Sequence, residues 1–277
     1  VAITSPVAQT TRNRLKAILT TSKSQLVIVD TPGIHKPLHL LGERLVKSAT
    51  SVIGEVDVIL LILEGVYEPG RGDEFIIQLL KRQKIPVIVA LNKWDLLSKD
   101  LCFNREKKYH DLLKDTGWNL LTCSALNGLG CQRLIDSIIN YLPKGGYLYP
   151  PDMLSDQPER LLISELIREQ ILLQTREEVP HSVAVSIDRI DEIKSNKGKK
   201  EKSYTAILAT VFVERKSQKG ILIGKGGSMM KSVGKGARIQ IQALIEGPVY
   251  LELFVKVVPN WRANPSKLSE LGYHGNL

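Results

Sequence analysis

Gln25-Leu26-Val27-Ile28-Val29-Asp30-Thr31-Pro32-Gly33 is the stretch whose reading decides the fold. Apolar residues in a row, without alternation, predict a parallel strand covered by helices on both faces, and this run stops abruptly in a polar turn. Open α/β sheets bind their ligands at the carboxyl ends of strands, which is where Asp30 to Gly33 then falls. A carboxylate there can hold a hydrated Mg²⁺, and Gly33 has no Cβ to keep its backbone N–H from a terminal phosphate. The same residues also fit a plain strand-to-turn passage punctuated by Pro32 and Gly33.

A second strand, Ile85 to Leu91, separates these readings because it runs straight into Asn92-Lys93-Trp94-Asp95. A carboxylate at Asp95 accepts two hydrogen bonds from the ring N–H and exocyclic amine of guanine, a pattern that adenine does not offer. The Lys93 stem can lie along the purine face, while Asn92 bonds to the base edge and ties neighbouring loops together. A third strand-like segment, Leu120 to Thr122, ends in Cys123-Ser124-Ala125, whose small side chains let backbone N–H groups reach the guanine oxygen.

In this order and spacing the three motifs resemble the GTP-binding domain of translation-factor-type GTPases. The resemblance implies that Asp30, Thr31, Pro32, Gly33, Ile34, Asn92, Lys93, Trp94, Asp95, Ser124 and Ala125 surround GTP or GDP with Mg²⁺. Gln9-Thr10-Thr11-Arg12, ahead of a strand over Lys16–Thr20 and a turn at 21–24, resembles the first switch of that domain. There a Thr hydroxyl binds Mg²⁺. Thr11 fits better than Thr10 because the family's Thr precedes Arg, so Thr11 and Asp30 are the metal candidates. Ile34 stands where Ras-like GTPases place a glutamine to orient the attacking water, and its side chain has neither donor nor acceptor. His35 is next to it, but a switch-loop histidine is a better reading than a catalytic base.

Leu40–Ile53 carries Leu41, Leu45, Val46 and Ala49 at helical spacing, as a second-switch helix would. Strand, helix and strand over 55–63, 73–82 and 85–91, then helices over 106–116 and 132–142, predict with the Gln25 strand a mostly parallel sheet of P-loop-NTPase type. No Gly-x-x-x-x-Gly-Lys-Ser/Thr loop occurs in the 277 residues, and the first residue is Val1. The expectation is a domain truncated at its N-terminus, without that loop's backbone cradle, lysine and Mg²⁺ ligand. Expected boundaries are 1–146 for this domain, 147–158 for a Pro/Gly-bearing linker and 159–277 for a second domain.

In the second domain the periods change. A helix over 161–174 precedes alternating Val183, Val185 and Ile187, a partner strand over 204–213, and a Lys-rich connection over 191–203 that predicts a flexible hairpin loop. Lys194, Lys197, Lys199, Lys200 and Lys202 in that connection are either a solvated charge run or phosphate contacts. Gly224-Lys225-Gly226-Gly227 then sits between two helical segments, followed by a strand over 249–258. A Gly-x-x-Gly turn between helices lets a sugar-phosphate backbone approach the main chain, and the next helix presents N–H groups to phosphate. Seven basic residues lie between Arg215 and Arg238 with no acidic one, among them Lys225, Lys231 and Lys235. This order resembles a KH domain of the bacterial type II topology, an α+β fold, and implies single-stranded RNA rather than DNA at Gly224, Lys225, Gly226, Gly227, Lys231 and Lys235.

Composition agrees. The net charge is +9, and the excess is shared: 19 basic against 14 acidic residues up to Pro150, and 19 against 15 after it. A basic protein of this size favours a polyanionic partner. Cys102, Cys123 and Cys131 are few, unevenly spaced and without His at ligand spacing, so they read as free thiols in a reducing cytosol. The longest apolar run, Val58–Leu63, is far short of the roughly 20 residues of a spanning helix.

The two halves together, with Trp261 to Gly272 as a terminal segment, resemble the bacterial Era family. That resemblance implies a cytoplasmic, monomeric, GTP-switched ribosome-assembly factor that binds the 3′ end of 16S rRNA in the small (30S) subunit, with some peripheral membrane association. Two alternatives stay open: an RNA-binding KH protein with a non-hydrolysing GTPase remnant, and a GTPase of tRNA modification, which the KH-like tail disfavours. Because Ile34 cannot orient water, intrinsic hydrolysis in a complete protein of this type is expected to be slow; single-turnover phosphate release near the rate of GAP-stimulated Ras would contradict this.

Overall fold

The computed structural model of the chain describes residues 2–7, 10–34, 39–195 and 202–273. Gln9, His35, Lys197, Lys199 and Lys200 lie outside the described residues. Two compact units emerge: residues 1–19, 27–48 and 152–277 form one, and residues 20–26 and 49–151 the other.

The chain begins with β1 (Leu15–Thr20) and β2 (Gln25–Asp30), a two-stranded sheet. Its turn is closed by the Thr21 N–H bonding to the Ser24 carbonyl at 2.8 Å. Contrary to the reading of the Gln25 run as a strand of the parallel sheet, β2 pairs only with β1 among the described residues, and Ile28 is 44% exposed while Leu26 is buried. Four β-branched or aliphatic residues satisfy a half-covered hairpin as well as a doubly covered strand, so the run alone does not fix the neighbours. Helix α1 (Leu40–Val52) follows.

The second unit is built on β3 (Ile59–Glu64), α2 (Arg71–Lys81), β4 (Val87–Asn92), α3 (Lys99–Leu113), β5 (Asn119–Thr122) and α4 (Cys131–Ile139). The strands form a parallel sheet in the order β3-β4-β5, Leu61 lying opposite Val89 and Val89 opposite Leu120. Here the rule of the uninterrupted apolar run does hold, since Ile88, Val89, Ala90 and Leu91 of β4 have no exposure at all. Val89 and Leu91 share a core with Ile77 and Leu80 of α2 and Tyr109 and Leu113 of α3. Helix α3 starts well before the expected Glu106, because its first two turns carry exposed polar residues and Phe103 and so lack an apolar stripe. The Gln25 side chain ties residues 147–149 to this unit, its Oε1 accepting from the Leu148 and Tyr149 N–H groups at 2.8 and 2.9 Å.

In the first unit the order is α5 (Glu159–Gln174), α6 (Val179–Ser182), β6 (Ala184–Ser195), β7 (Lys202–Val213), α7 (Lys216–Ile223), α8 (Ser228–Ile245), β8 (Val249–Val257) and α9 (Pro265–Glu270). β6 and β7 are antiparallel with an irregularity between Ile187 and Arg189, and β8 adds to β7 in parallel, the crossover being α7 and α8. Ile163, Ile167 and Ile171 of α5 and Val233, Ala237 and Ile241 of α8 close over Ile207, Ala209 and Val211 of β7. The expected flexible loop over 191–203 is corrected in part: Asp191 to Ser195 pair with Ala206 to Lys202 as continuous strand. Lysines and acids on a two-stranded extension can all face water, so a charge run does not end a strand there.

Candidate functional site

In the second unit the parallel register ends β4 and β5 together, and the loops that follow interlock. Asn92 Oδ1 accepts the Ala125 N–H at 2.9 Å and faces the Cys123 thiol at 3.9 Å. Cys123 N–H bonds to the Leu91 carbonyl at 2.9 Å, and Trp94 N–H to the Cys123 carbonyl at 3.1 Å. Asp95 stands exposed in a tight turn over Trp94–Leu96, reached through Lys93 in the left-handed region at φ 62°. Its carboxylate is open to a ligand's donors.

Several side chains take roles that the sequence did not indicate. Ser124 is fully buried, with its hydroxyl 3.4 Å from the Asn127 N–H, so it shapes the loop while Ala125 remains on the surface. The Trp94 indole packs on the core and on Gly65, where a Cβ would come within 2.9 Å of the ring. Lys93 Nζ pairs with Glu64 at 2.5 Å, holding the lysine stem over the loop. Neither Glu64 nor Gly65 belongs to a recognisable motif, and only the parallel pairing of Glu64 with Asn92 could have singled them out. The Cys123 thiol is pushed above the usual range by burial and by Cys131, and the three cysteines are unpaired.

In the first unit, Thr11 and Asp30 come together: the Thr11 hydroxyl donates to Asp30 Oδ2 at 2.9 Å. Thr10 turns the other way, its hydroxyl donating to the Val7 carbonyl at 2.7 Å. Burial is the main influence on the Asp30 carboxyl and raises its pKa, while the Thr11 hydrogen bond and the Thr31 backbone work against the rise and Glu165 adds to it. A half-buried carboxylate beside a hydroxyl, with no basic group acting on it among the described residues, is a hard-oxygen pair that suits Mg²⁺. Thr31 to Ile34 follow as irregular backbone, with Gly33 exposed and nothing within 4 Å of the place where its Cβ would be.

The same unit carries the Gly-x-x-Gly turn. Gly224 adopts φ 72°, and a Cβ there would lie 2.8 Å from Met229 N, so the turn needs glycine for both reasons. Gly226 and Gly227 also have positive φ, at 60° and 80°, but face open space. Beside the turn runs a groove of about 690 Å³. Its lining mixes basic Lys219, Lys231, Lys235 and Arg238 with apolar Ile223, Met230, Leu253 and Phe254. Lys225 is exposed at the turn but does not line the groove. The apolar part of the lining was not legible as a site, because alternating residues of β8 read as core; Phe254 is in fact 49% exposed. Basic and apolar side chains along one groove suit a nucleic-acid strand, the cations meeting phosphates and the apolar groups meeting bases.

The arrangement defines a GTPase-type α/β unit joined to an RNA-binding KH fold. Residues 178–262 match a sequence family described as a KH domain, and residues 1–93 one described as a 50S ribosome-binding GTPase. GTPase Era of a Nostoc species is 54% identical over 99% of this chain and 82% of its own length. GTPase Era of Crocosphaera subtropica is 50% identical over 99% and 84%. A crystal structure of Era with MgGDPNP and nucleotides 1506–1542 of 16S ribosomal RNA is similar at TM-score 0.91, with 37% identity over 99% of this chain and 90% of that one. An Aquifex aeolicus Era variant bound to GDP·AlF4⁻ gives TM-score 0.91, 36% identity and the same coverage. The chain belongs to the Era GTPase family.

The loops at β4 and β5 depend on Gly130, which enters α4 at φ 75°, where a Cβ would lie 2.3 Å from the Thr122 carbonyl oxygen. Gly130→Ala is expected to destabilise this unit by about 2 kcal/mol or more, read as lost hydrogen-exchange protection at Cys123, Ser124 and Ala125; unchanged protection would show that the loop has room to adjust.

Proposed function

We propose that this chain is a guanine-nucleotide-responsive, rRNA-binding factor of small-subunit assembly. The observation that carries the reading is the Asn92 to Ala125 hydrogen bond at 2.9 Å, which holds the exposed Asp95 carboxylate beside a small-residue loop in one unit of a chain whose other unit is a KH fold. Asp95 accepts from the ring N–H and amine of guanine, and Ala125 leaves room for the base oxygen. Thr11 and Asp30 would hold Mg²⁺, which when bound neutralises phosphate charge. Ile34 excludes the glutamine mode of water positioning.

Support for the RNA half is the groove beside Gly224–Gly227 with its mixed basic and apolar lining. Support for its ligand is the family relationship, since a similar Era structure holds MgGDPNP and nucleotides 1506–1542 of 16S rRNA. The 3′ end of 16S rRNA within the 30S subunit is therefore the proposed partner. The nucleotide state acts by moving the segments at Thr11 and Gly33, which belong to the same unit as the KH fold, so RNA grip and nucleotide state are linked. No helix among the described residues is long and apolar enough to cross a membrane.

Gly226 offers a clean test because a side chain there meets nothing within 4 Å. Gly226→Asp places a negative charge where phosphate would lie, and Asp tolerates positive φ better than most residues. The variant should bind a 16S 3′-end oligonucleotide at least about tenfold more weakly with its melting temperature nearly unchanged; equal affinity would move the RNA site elsewhere. Calorimetry with GTP and GDP on the unsubstituted chain separates the rival: micromolar binding supports the nucleotide-responsive reading, and RNA binding without any nucleotide binding supports a KH protein with a non-hydrolysing remnant.

A further inference from the structure

Arg12 is a guanidinium with almost no access to water, and its buried donors are met by main-chain oxygens and by the Tyr273 side chain instead of a carboxylate. Nη1 donates to the Val183 carbonyl at 2.5 Å, and Nη2 to the carbonyls of Pro180 at 3.0 Å and His181 at 3.2 Å. Those carbonyls lie where the short α6 breaks before β6, and the one between them, on Ser182, accepts from the Trp261 indole at 2.9 Å. Side chains thus satisfy four successive carbonyls that a longer helix would have bonded internally.

Two residues earlier in the chain, Thr10 is held as well. Its carbonyl accepts from Arg168 of α5, which is also buried and is bonded to both oxygens of Glu165, at 3.0 and 2.5 Å. The main chain is therefore fixed on each side of Thr11, while the Thr11 hydroxyl reaches Asp30 at 2.9 Å. Removing the Arg12 fork would take this donor from the buried carbonyls of Pro180 and Val183, while Arg262 still reaches the His181 carbonyl at 3.5 Å, and would free one end of this short span.

We propose that Arg12 is a positioning residue: seated in the carbonyls of Pro180, His181 and Val183, it holds the Thr11 hydroxyl against Asp30, so that the KH fold sets the geometry of the metal-binding pair. This rests on the reading of Thr11 and Asp30 as the Mg²⁺ pair. Groups that orient metal ligands from behind matter nearly as much as the ligands themselves. The device is reciprocal, since anything that draws Thr11 away from Asp30 must also pull Arg12 from its socket, and anything that opens the socket loosens Thr11.

The test uses the full chain with Arg12→Ala, Arg12→Gln and Arg12→Lys. Threonine methyl NMR follows Thr11, amide hydrogen exchange follows residues 10–14, and Mn²⁺ titration in the presence of GDP, read by electron paramagnetic resonance, follows metal affinity. Arg12→Ala should move the Thr11 methyl signal toward its unfolded position, abolish protection over 10–14 and weaken Mn²⁺ half-saturation about tenfold. Arg12→Lys, which still donates to carbonyls, should recover most of each loss, and Arg12→Gln part of it. A merely structural role would lower the melting temperature without moving the Mn²⁺ titration. If Arg12→Ala does not fold, the graded Gln and Lys variants decide the matter. A Thr11 signal unchanged in every folded variant overturns the proposal while leaving the nucleotide reading intact. Absence of Mn²⁺·GDP binding in the unsubstituted chain overturns the metal-pair reading instead, and the methyl and exchange data still decide whether Arg12 holds Thr11.

Discussion

The hydrogen bond from the Ala125 N–H to Asn92 Oδ1 joins the loops after β4 and β5, together with the main-chain bonds of Cys123 to Leu91 and of Trp94 to Cys123, and the proposed base recognition rests on it. It forms because β4 and β5 are in parallel register and stop side by side, Leu91 lying opposite Thr122. The register in turn is fixed by burial: four consecutive β4 residues without exposure leave no freedom to slip, since a shift would bring Asn92 into the core. An apolar sheet interior therefore places a polar side chain at its edge, and that side chain orders the loop that carries the site.

Charge is handled differently in the first unit. Arg12, Arg168 and Glu165 are all buried, in a position where a lone charge would be strongly destabilising. Glu165 partners Arg168, and burial opposed by these carboxylate contacts leaves the Arg168 guanidinium with a raised pKa. Among the described residues Arg12 has no carboxylate at hydrogen-bond distance; burial is the leading influence and lowers its pKa, with Tyr273 acting against the fall. Carbonyl oxygens satisfy its donors geometrically but supply only partial charge. Such an arrangement favours one path of the chain through Thr10 to Arg12 over others, which is a gain in specificity more than in stability.

How much of this was legible in the sequence follows from which interactions are local. Asn92 to Asp95 could be placed at a strand end because an uninterrupted apolar run ending in a polar turn is itself the signal, and β4 is such a run. The run at Gln25 has the same composition but belongs to a hairpin, since its neighbours are decided by pairing that periodicity does not encode. Gly224 to Gly227 were legible as a turn through their glycines, whereas the groove beside them depends on Met230 and Phe254, which look like core residues until β8 is found at the sheet edge. Ser124 and Trp94 were read as site residues by their place in motifs; that the Ser124 hydroxyl is buried and the Trp94 indole packs on the core depends on tertiary packing that the motifs do not encode. Arg12 carried no signal of burial, because an arginine in a polar segment is ordinarily exposed and its carbonyl acceptors lie more than 150 residues away in the chain; the Arg168 contact to the Thr10 carbonyl is equally remote, though its Glu165 partner is three residues away.

The claim that Asp95 reads guanine is tested most directly by changing what it can accept. An amide at that position both donates and accepts, which suits xanthine, with a carbonyl where guanine has its amine. Affinities of the unsubstituted chain and of Asp95→Asn for GDP and XDP should cross over, the carboxylate preferring GDP and the amide XDP. Equal GDP affinity in the two proteins would show that this carboxylate does not select the base.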